Sequence, residues 1–184
     1  QNNGKNATEN DFATAWIDHG CAPSGASYVY AIVVSATSER MREVAEQQPF
    51  EVLLQDARAH IVRLGNMTSY ALFEKQGGLD VGALMCADAP CLVMMREERD
   101  RIVMSLCDPD LRLMQAPVPD AGHIRGEMWY YESEMQTVTV RLKGKWNLSE
   151  TYEKARVVSV DGDETVVVFD CVDGLTVDVQ LRRV

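Results

Sequence analysis

Ala155-Arg156-Val157-Val158-Ser159-Val160-Asp161-Gly162-Asp163-Glu164-Thr165-Val166-Val167-Val168-Phe169-Asp170 decides the fold. Two runs dense in β-branched residues flank an Asp-Gly turn signal, the short-range mark of a β-hairpin. A second Asp-Gly, in Val172-Asp173-Gly174-Leu175, leads into Leu175–Leu181 and reads as a second hairpin between alternating strands. The pattern repeats toward the N-terminus. Glu51–Gln55, Ala59–Leu64, Ser69–Glu74, Pro90–Met95, Arg101–Cys107, Ile124–Tyr131 and Thr137–Leu142 are strand candidates separated by turn residues. Gln76-Gly77-Gly78 reads as a loop, and Asp108-Pro109-Asp110 ends a strand because proline cannot donate to a ladder. From Phe50 onward, short strands with regular turn signals predict an all-β fold, a β-sandwich or barrel.

A single helix precedes that region. In Thr37-Ser38-Glu39-Arg40-Met41-Arg42-Glu43-Val44-Ala45-Glu46-Gln47-Gln48, Thr37 or Ser38 is a good N-cap, Met41, Val44 and Ala45 mark one face, and Pro49 stops the run. A domain junction is therefore expected at about residue 48. Before the helix stands Ala15-Trp16-Ile17-Asp18-His19-Gly20, followed by Ser27-Tyr28-Val29-Tyr30-Ala31-Ile32-Val33-Val34. These read as strands over 12–18 and 27–36. Tyr28, Tyr30, Ile32 and Val34 share one face, and Val29, Ala31 and Val33 the other. Apolar residues on both faces are the pattern of a strand covered by two layers. The chain is thus expected to open inside a domain whose earlier strands lie outside it. The polar leader Gln1-Asn2-Asn3-Gly4-Lys5-Asn6, without an initiator Met, agrees with a cut from something longer.

The 184 residues carry a formal charge of −10, with 46% apolar and 25% charged residues. That acidity opposes binding to nucleic acid, anionic lipid or anionic polysaccharide, so neither nucleic acid nor a membrane is expected as a partner. No apolar run approaches the roughly 20 residues a membrane span needs. In Arg96-Glu97-Glu98-Arg99-Asp100-Arg101 the signs alternate, as on a solvated hairpin tip. Of the five cysteines, Cys91, Cys107 and Cys171 lie in apolar strand-like runs, where a thiol behaves as a small hydrophobe. The spacing of Cys86 and Cys91 allows a disulfide and shows no metal-ligand pattern.

No catalytic constellation stands out. His19, His60 and His123 form no i, i+4 pair on a helix, and Gly-x-Ser-x-Gly, the Walker loop and Gly-x-Gly-x-x-Gly are lacking. Asp161-Gly162-Asp163-Glu164 does not have the ligand spacing of a calcium loop. Neither a metal nor another cofactor is expected, and no residue is assigned a catalytic role. The candidates for substrate contact are aromatic. Trp129 and Tyr131 share one face of a strand, Trp146 ends Gly144-Lys145-Trp146, and His19 ends the opening block. Core packing is the competing role for the aromatics, and a hydrogen-bonded structural role for His19.

Several segments together resemble the C-terminal region of bacterial chondroitin sulfate ABC-type lyases. They are Ala15-Trp16-Ile17-Asp18-His19 with Ala26-Ser27-Tyr28-x-Tyr30; Ala36-Thr37-x-Glu39-x-Met41; and Val52-Leu53, His60-Ile61-Val62 and Asn66-x-Thr68-x-Tyr70-Ala71. Further on come Pro90-x-Leu92-Val93-Met94, Asp100-x-Ile102-Val103-x-Ser105, Asp108-Pro109-Asp110-Leu111 and Gly144-Lys145-Trp146. These lyases fall in polysaccharide lyase family 8, with the hyaluronate, chondroitin AC and xanthan lyases. Coverage runs from about residue 8 to near the C-terminus. The chain departs in its extra cysteines and in the loops at 75–89 and 115–127.

The resemblance implies an N-terminal helical toroid, a central β supersandwich and a smaller C-terminal β-sandwich in the parent enzyme. Residues 1–48 would be the closing strands of the supersandwich plus a connecting helix, and 49–184 the C-terminal sandwich. The implied reaction is β-elimination at a uronic acid. The carboxylate is neutralised, a Tyr or His takes the C5 proton, and an unsaturated sugar leaves. In the family those groups precede the region matched here. The implied partners are the upstream catalytic domains and, through them, a glycosaminoglycan; the implied location is secreted or periplasmic. An acidic segment suits a bracing role better than the lining of a cleft for polyanions. The alternative is a carbohydrate-binding β-sandwich module without catalytic activity.

Overall fold

A computed structural model describes residues 16–110 and 134–184. The chain divides into two compact units between Ala45 and Glu46. In the first, residues 16–36 run without a strand ladder up to helix α1, Ser38–Gln47. Thr37 caps α1: its Oγ1 accepts from the Arg40 N–H at 3.2 Å and its carbonyl from the Met41 N–H at 2.9 Å. The strands expected over 16–18 and 27–36 are therefore corrected. An extended segment becomes a strand only beside a partner that takes its N–H and C=O groups, and none lies beside it among the described residues. Its apolar side chains are left open, with Trp16 80%, Ile32 81% and Val34 85% exposed.

The second unit is built of strands β1 Phe50–Gln55, β2 Ala59–Leu64, β3 Met67–Leu72, β4 Gln76–Val81, β5 Leu84–Ala87, β6 Cys91–Glu97, β7 Arg101–Cys107, β8 Gln136–Lys143, β9 Trp146–Leu148, β10 Ala155–Asp161, β11 Glu164–Cys171 and β12 Val177–Arg183. They form a seven-stranded sheet, β1-β2-β3-β6-β7-β12-β9, and a five-stranded sheet, β10-β11-β8-β5-β4. Neighbouring strands run antiparallel throughout. Of the sandwich and barrel that the strand pattern allows, the structure is the antiparallel β-sandwich that the family resemblance implies.

Alternation of side chains builds the core. Ile102, Met104 and Leu106 of β7 are wholly buried, as are Val138, Val140 and Leu142 of β8, while the residues between them face outward. The inward rows of the two sheets join in one cluster that also holds Tyr70, Leu84, Phe169 and Leu181. The charged hairpin tip lies where expected. Glu98 accepts from Arg101 at 2.6 Å and the Glu98 N–H donates to the Arg101 carbonyl at 2.8 Å.

The first Asp-Gly hairpin forms as expected, with its loop one residue further on, and the second does not form. Asp161 pairs with Glu164 in the ladder, so Gly162-Asp163 is the two-residue loop. Of these two only Gly162 has positive φ, at 56°, which makes the turn type II′. At the second site Asp173 and Gly174 have φ of 56° and 64°, and the Leu175 N–H donates to the Val172 carbonyl at 3.0 Å. That is a type I′ turn, yet β11 and β12 belong to different sheets. The turn reverses the chain, and the core-facing rows then carry β12 to β7 and β9 instead of to β11.

Gln76-Gly77-Gly78 is not a loop but the start of β4, an edge strand whose register with β5 breaks between Gly77 and Val81. Glycine weakens a strand without forbidding it at an edge. The four residues of β5 and three of β9 are too few for a period to be read. The expected strand Ile124–Tyr131 lies outside the described residues.

The core assignment predicts a contrast. Phe169→Ala, at a wholly buried site, lowers unfolding free energy by about 3–5 kcal/mol. Leu92→Ala, on the outward face of β6, changes it by less than about 1 kcal/mol. Urea unfolding of the full chain checks both.

Candidate functional site

In the first unit, the Asp18 carboxylate accepts from the Gly20 N–H at 2.8 Å, and Gly20 takes a φ of 74°. This tight turn sets His19 beside the segment that follows. Its ring centroid lies 6.0 Å from that of Tyr28, which stacks at 6.1 Å and 22° on Tyr30. Trp16, Ile17, Ala31 and Ile32 complete an open hollow of about 700 Å³. A catalytic imidazole is oriented by a partner, commonly a carboxylate on its second nitrogen. Asp18 is turned instead to the Gly20 amide, so the cluster is equipped to cover apolar surface rather than to move a proton.

Trp146 lies in the second unit and is a closure of the sandwich, only 6% exposed. Its Nε1–H donates to the Lys143 carbonyl at 2.7 Å, and its backbone N–H to Thr165 Oγ1 at 2.9 Å. Thr165 in turn donates to the Gly144 carbonyl at 2.8 Å. The Arg183 guanidinium sits 5.7 Å from the ring centroid. Gly144, at φ +96°, has no room for a side chain, since a Cβ there would stand 2.8 Å from the indole Nε1. With its ring buried and attended by Arg183, Trp146 offers no open face to a sugar, which corrects its candidacy for stacking. His19 and Trp146 fall in different units. Trp129 and Tyr131 lie outside the described residues.

All five cysteines are free. Cys86 is on β5 and Cys91 on β6, in different sheets, so closeness in sequence does not bring them into a disulfide. Burial first, then the neighbouring Cys171 and Cys107 thiols, push the Cys91 thiol up to about 12. Burial likewise raises Cys107 and Cys171. These are structural thiols, protonated at neutral pH.

One feature of the surface has no signal in the sequence. The outer face of the five-stranded sheet holds an open groove of about 490 Å³, bordered by Lys75, Gly77, Gly78, Met85, Thr139 and Arg141 among others. It depends on Cys86 lying opposite Arg141, and Val168 opposite Thr139, pairings that arise only when β5, β8 and β11 assemble.

No family model matches the chain. It is 38% identical over 197 residues to a chondroitin sulfate ABC exolyase of Bacteroides thetaiotaomicron, an alignment covering 100% of this chain and 19% of that protein. It is 27% identical over 190 residues to a chondroitin sulfate ABC endolyase of Proteus vulgaris, covering 98% of this chain and 17% of the relative. The chain thus spans about a fifth of the length of the relatives it matches. Among solved structures it resembles a chondroitin AC lyase of Streptomyces coelicolor, with a TM-score of 0.64 at 15% identity over 90% of this chain and 19% of that one. A Paenibacillus xanthan lyase gives 0.58 at 14% identity over 81% of this chain and 12% of that one. These likenesses extend to the fold.

The thiols supply a prediction with a definite sign. The unfolded Cys91 thiol ionises near 9.0, whereas the folded one keeps its proton to about 12. Across that window the unfolded state binds fewer protons, so stability falls as pH rises. Melting temperatures measured over this range should show the decline, and Cys91→Ala should reduce its slope, leaving the part that Cys107 and Cys171 contribute. In the native chain Cys21, which is exposed, should react with an aromatic disulfide reagent while Cys91, Cys107 and Cys171 stay protected until unfolding.

Proposed function

This chain corresponds to the C-terminal fifth of the chondroitin sulfate ABC-type lyases, and from that premise we propose that it is the C-terminal, mainly structural portion of a glycosaminoglycan lyase. Chondroitin sulfate, dermatan sulfate or hyaluronan is the polymer, cleaved by β-elimination at its uronic acid, and the groups that move the C5 proton belong upstream of this chain. Residues 1–48 close the central domain and link it through α1 to the sandwich over 49–184. A polymer of this kind cannot cross a cell membrane intact, so the same proposal has the parent enzyme secreted or periplasmic.

The observation that carries this reading is the open apolar face of the first unit. Trp16, Tyr30, Ile32 and Val34 are each at least 66% exposed, within about twenty residues of chain. Contiguous apolar surface on that scale marks an interface. The aromatic hollow beside His19 then serves to receive another domain, and its rings contribute buried area at about 25 cal/mol per Å² once covered. The bracing role agrees with the net charge of −10, which is unsuited to lining a cleft for a polyanion.

The experiment is direct. The purified chain, incubated with chondroitin sulfate, dermatan sulfate or hyaluronan, should yield no ultraviolet-absorbing unsaturated uronate. Within the parent enzyme, the double substitution Tyr30→Asp and Ile32→Asp should abolish or strongly reduce soluble, active enzyme, while Leu92→Asp, on the outer face of β6, leaves activity within about twofold. Eliminase product from the chain alone would overturn the structural role, and full activity with both aspartates in place would overturn the docking role of that face.

A further inference from the structure

The groove on the outer face of the five-stranded sheet carries an inference beyond bracing. We propose that it binds an anionic saccharide, Lys75 and Arg141 holding the carboxylate or sulfate while the sugar ring lies along Gly77-Gly78. The choice of a saccharide rests on the glycosaminoglycan lyase reading above; the site itself rests on charge and shape.

Charge comes first. Four charged residues border the groove: Lys75, Asp88, Arg141 and Glu164. The Asp88 carboxylate is already engaged, accepting from the Thr139 N–H at 2.7 Å. Glu164 stands directly across the ladder from Lys143, an opposite-charge pair in register. Neither Lys75 nor Arg141 is among the ion-paired cations of the described residues, where Arg40, Arg58, Arg63, Arg96, Arg101 and Arg156 all find carboxylates. Lys75 and Arg141 are therefore two cations at the groove that make no ion pair of their own, beside two carboxylates, of which Asp88 is held by a backbone amide. A guanidinium and an ammonium at one site suit a planar carboxylate or a sulfate.

Shape agrees. No heavy atom stands within 4 Å of the place a Cβ would occupy at Gly77 or Gly78, and Gly78 has φ +78°. Bare backbone on an edge strand leaves both room and unpaired peptide groups for hydroxyls. Leu79 and Met85 give the apolar face of a sugar ring a surface to rest on. The volume, about 490 Å³, lies within the ordinary range for small-ligand sites. The groove shares no residue with the aromatic hollow and does not include Trp146.

The test uses the full chain and a chondroitin sulfate tetrasaccharide, followed by amide chemical shifts. Shifts should gather at Gly77, Gly78, Thr139 and Arg141. Lys75→Ala and Arg141→Ala should each raise Kd about tenfold with unchanged amide spectra away from the groove. A neutral N-acetylglucosamine tetrasaccharide should give no shifts there. Absent shifts, shifts centred elsewhere, or variants that bind as the parent does would overturn the proposal. Equal affinity for polyphosphate would overturn it too, since the groove would then be reading charge alone. These outcomes do not depend on eliminase activity, so the groove and the bracing role can fail separately.

Discussion

Met104 on β7 and Phe169 on β11 come from different sheets and are both wholly buried in one cluster. The requirement that two sheets bury one residue in two against each other governs the rest of the second unit. With Val138, Val140 and Leu142 fixed inward, Thr139 and Arg141 must face out. A slip of one residue would exchange the two rows, exposing three aliphatic side chains and burying a guanidinium without a partner. The outer face of the five-stranded sheet is thus fixed by the core. The same constraint moves β12 into the seven-stranded sheet despite the turn that joins it to β11.

The first unit obeys a different logic. Residues 16–34 carry Trp, Tyr, Ile and Val in the density of a buried strand, and those side chains lie largely open. Apolar content has therefore been placed where its own unit does not cover it. The stacking of Tyr28 on Tyr30 and the tilt of His19 toward Tyr28 hide only part of that area. A surface of this kind lowers solubility unless something covers it, which is the physical ground for reading it as an interface rather than a catalytic pocket.

What the sequence disclosed follows the reach of its signals. Strand β2 was legible to the residue, Ala59–Leu64, because its alternation is bounded by Gly65 on one side and polar residues on the other. β10 and β11 were legible because a two-residue glycine turn joins strands that do pair. Where turn chemistry and pairing part company, at Asp173-Gly174, local reading gave a hairpin that the sheets do not form. β4 was hidden by its two glycines, and β5 and β9 by their brevity. Trp146 looked like a free aromatic because nothing in Gly144-Lys145-Trp146 reveals that Thr165, from a strand of the other sheet, will accept its amide. That Lys75, just before β4, and Arg141 of β8 border one groove was likewise beyond sequence, since β4 and β8 meet only through β5.

Net charge alone would set this chain against polyanions, yet charge acts over distances that matter. At physiological ionic strength, fields from exposed groups fade over about 8 Å, so a ligand seated in a groove responds mainly to the residues that border it. The Asp88 carboxylate is held by the Thr139 amide, and Glu164 lies in register with Lys143 on the neighbouring strand. The groove's border is thus balanced between two cations and two carboxylates, less acidic than the chain as a whole at −10. Such an arrangement penalises a long polyanion draped across the domain and tolerates a short anionic segment docked at one place. The acidity of the chain as a whole is therefore compatible with a confined contact to a short anionic ligand.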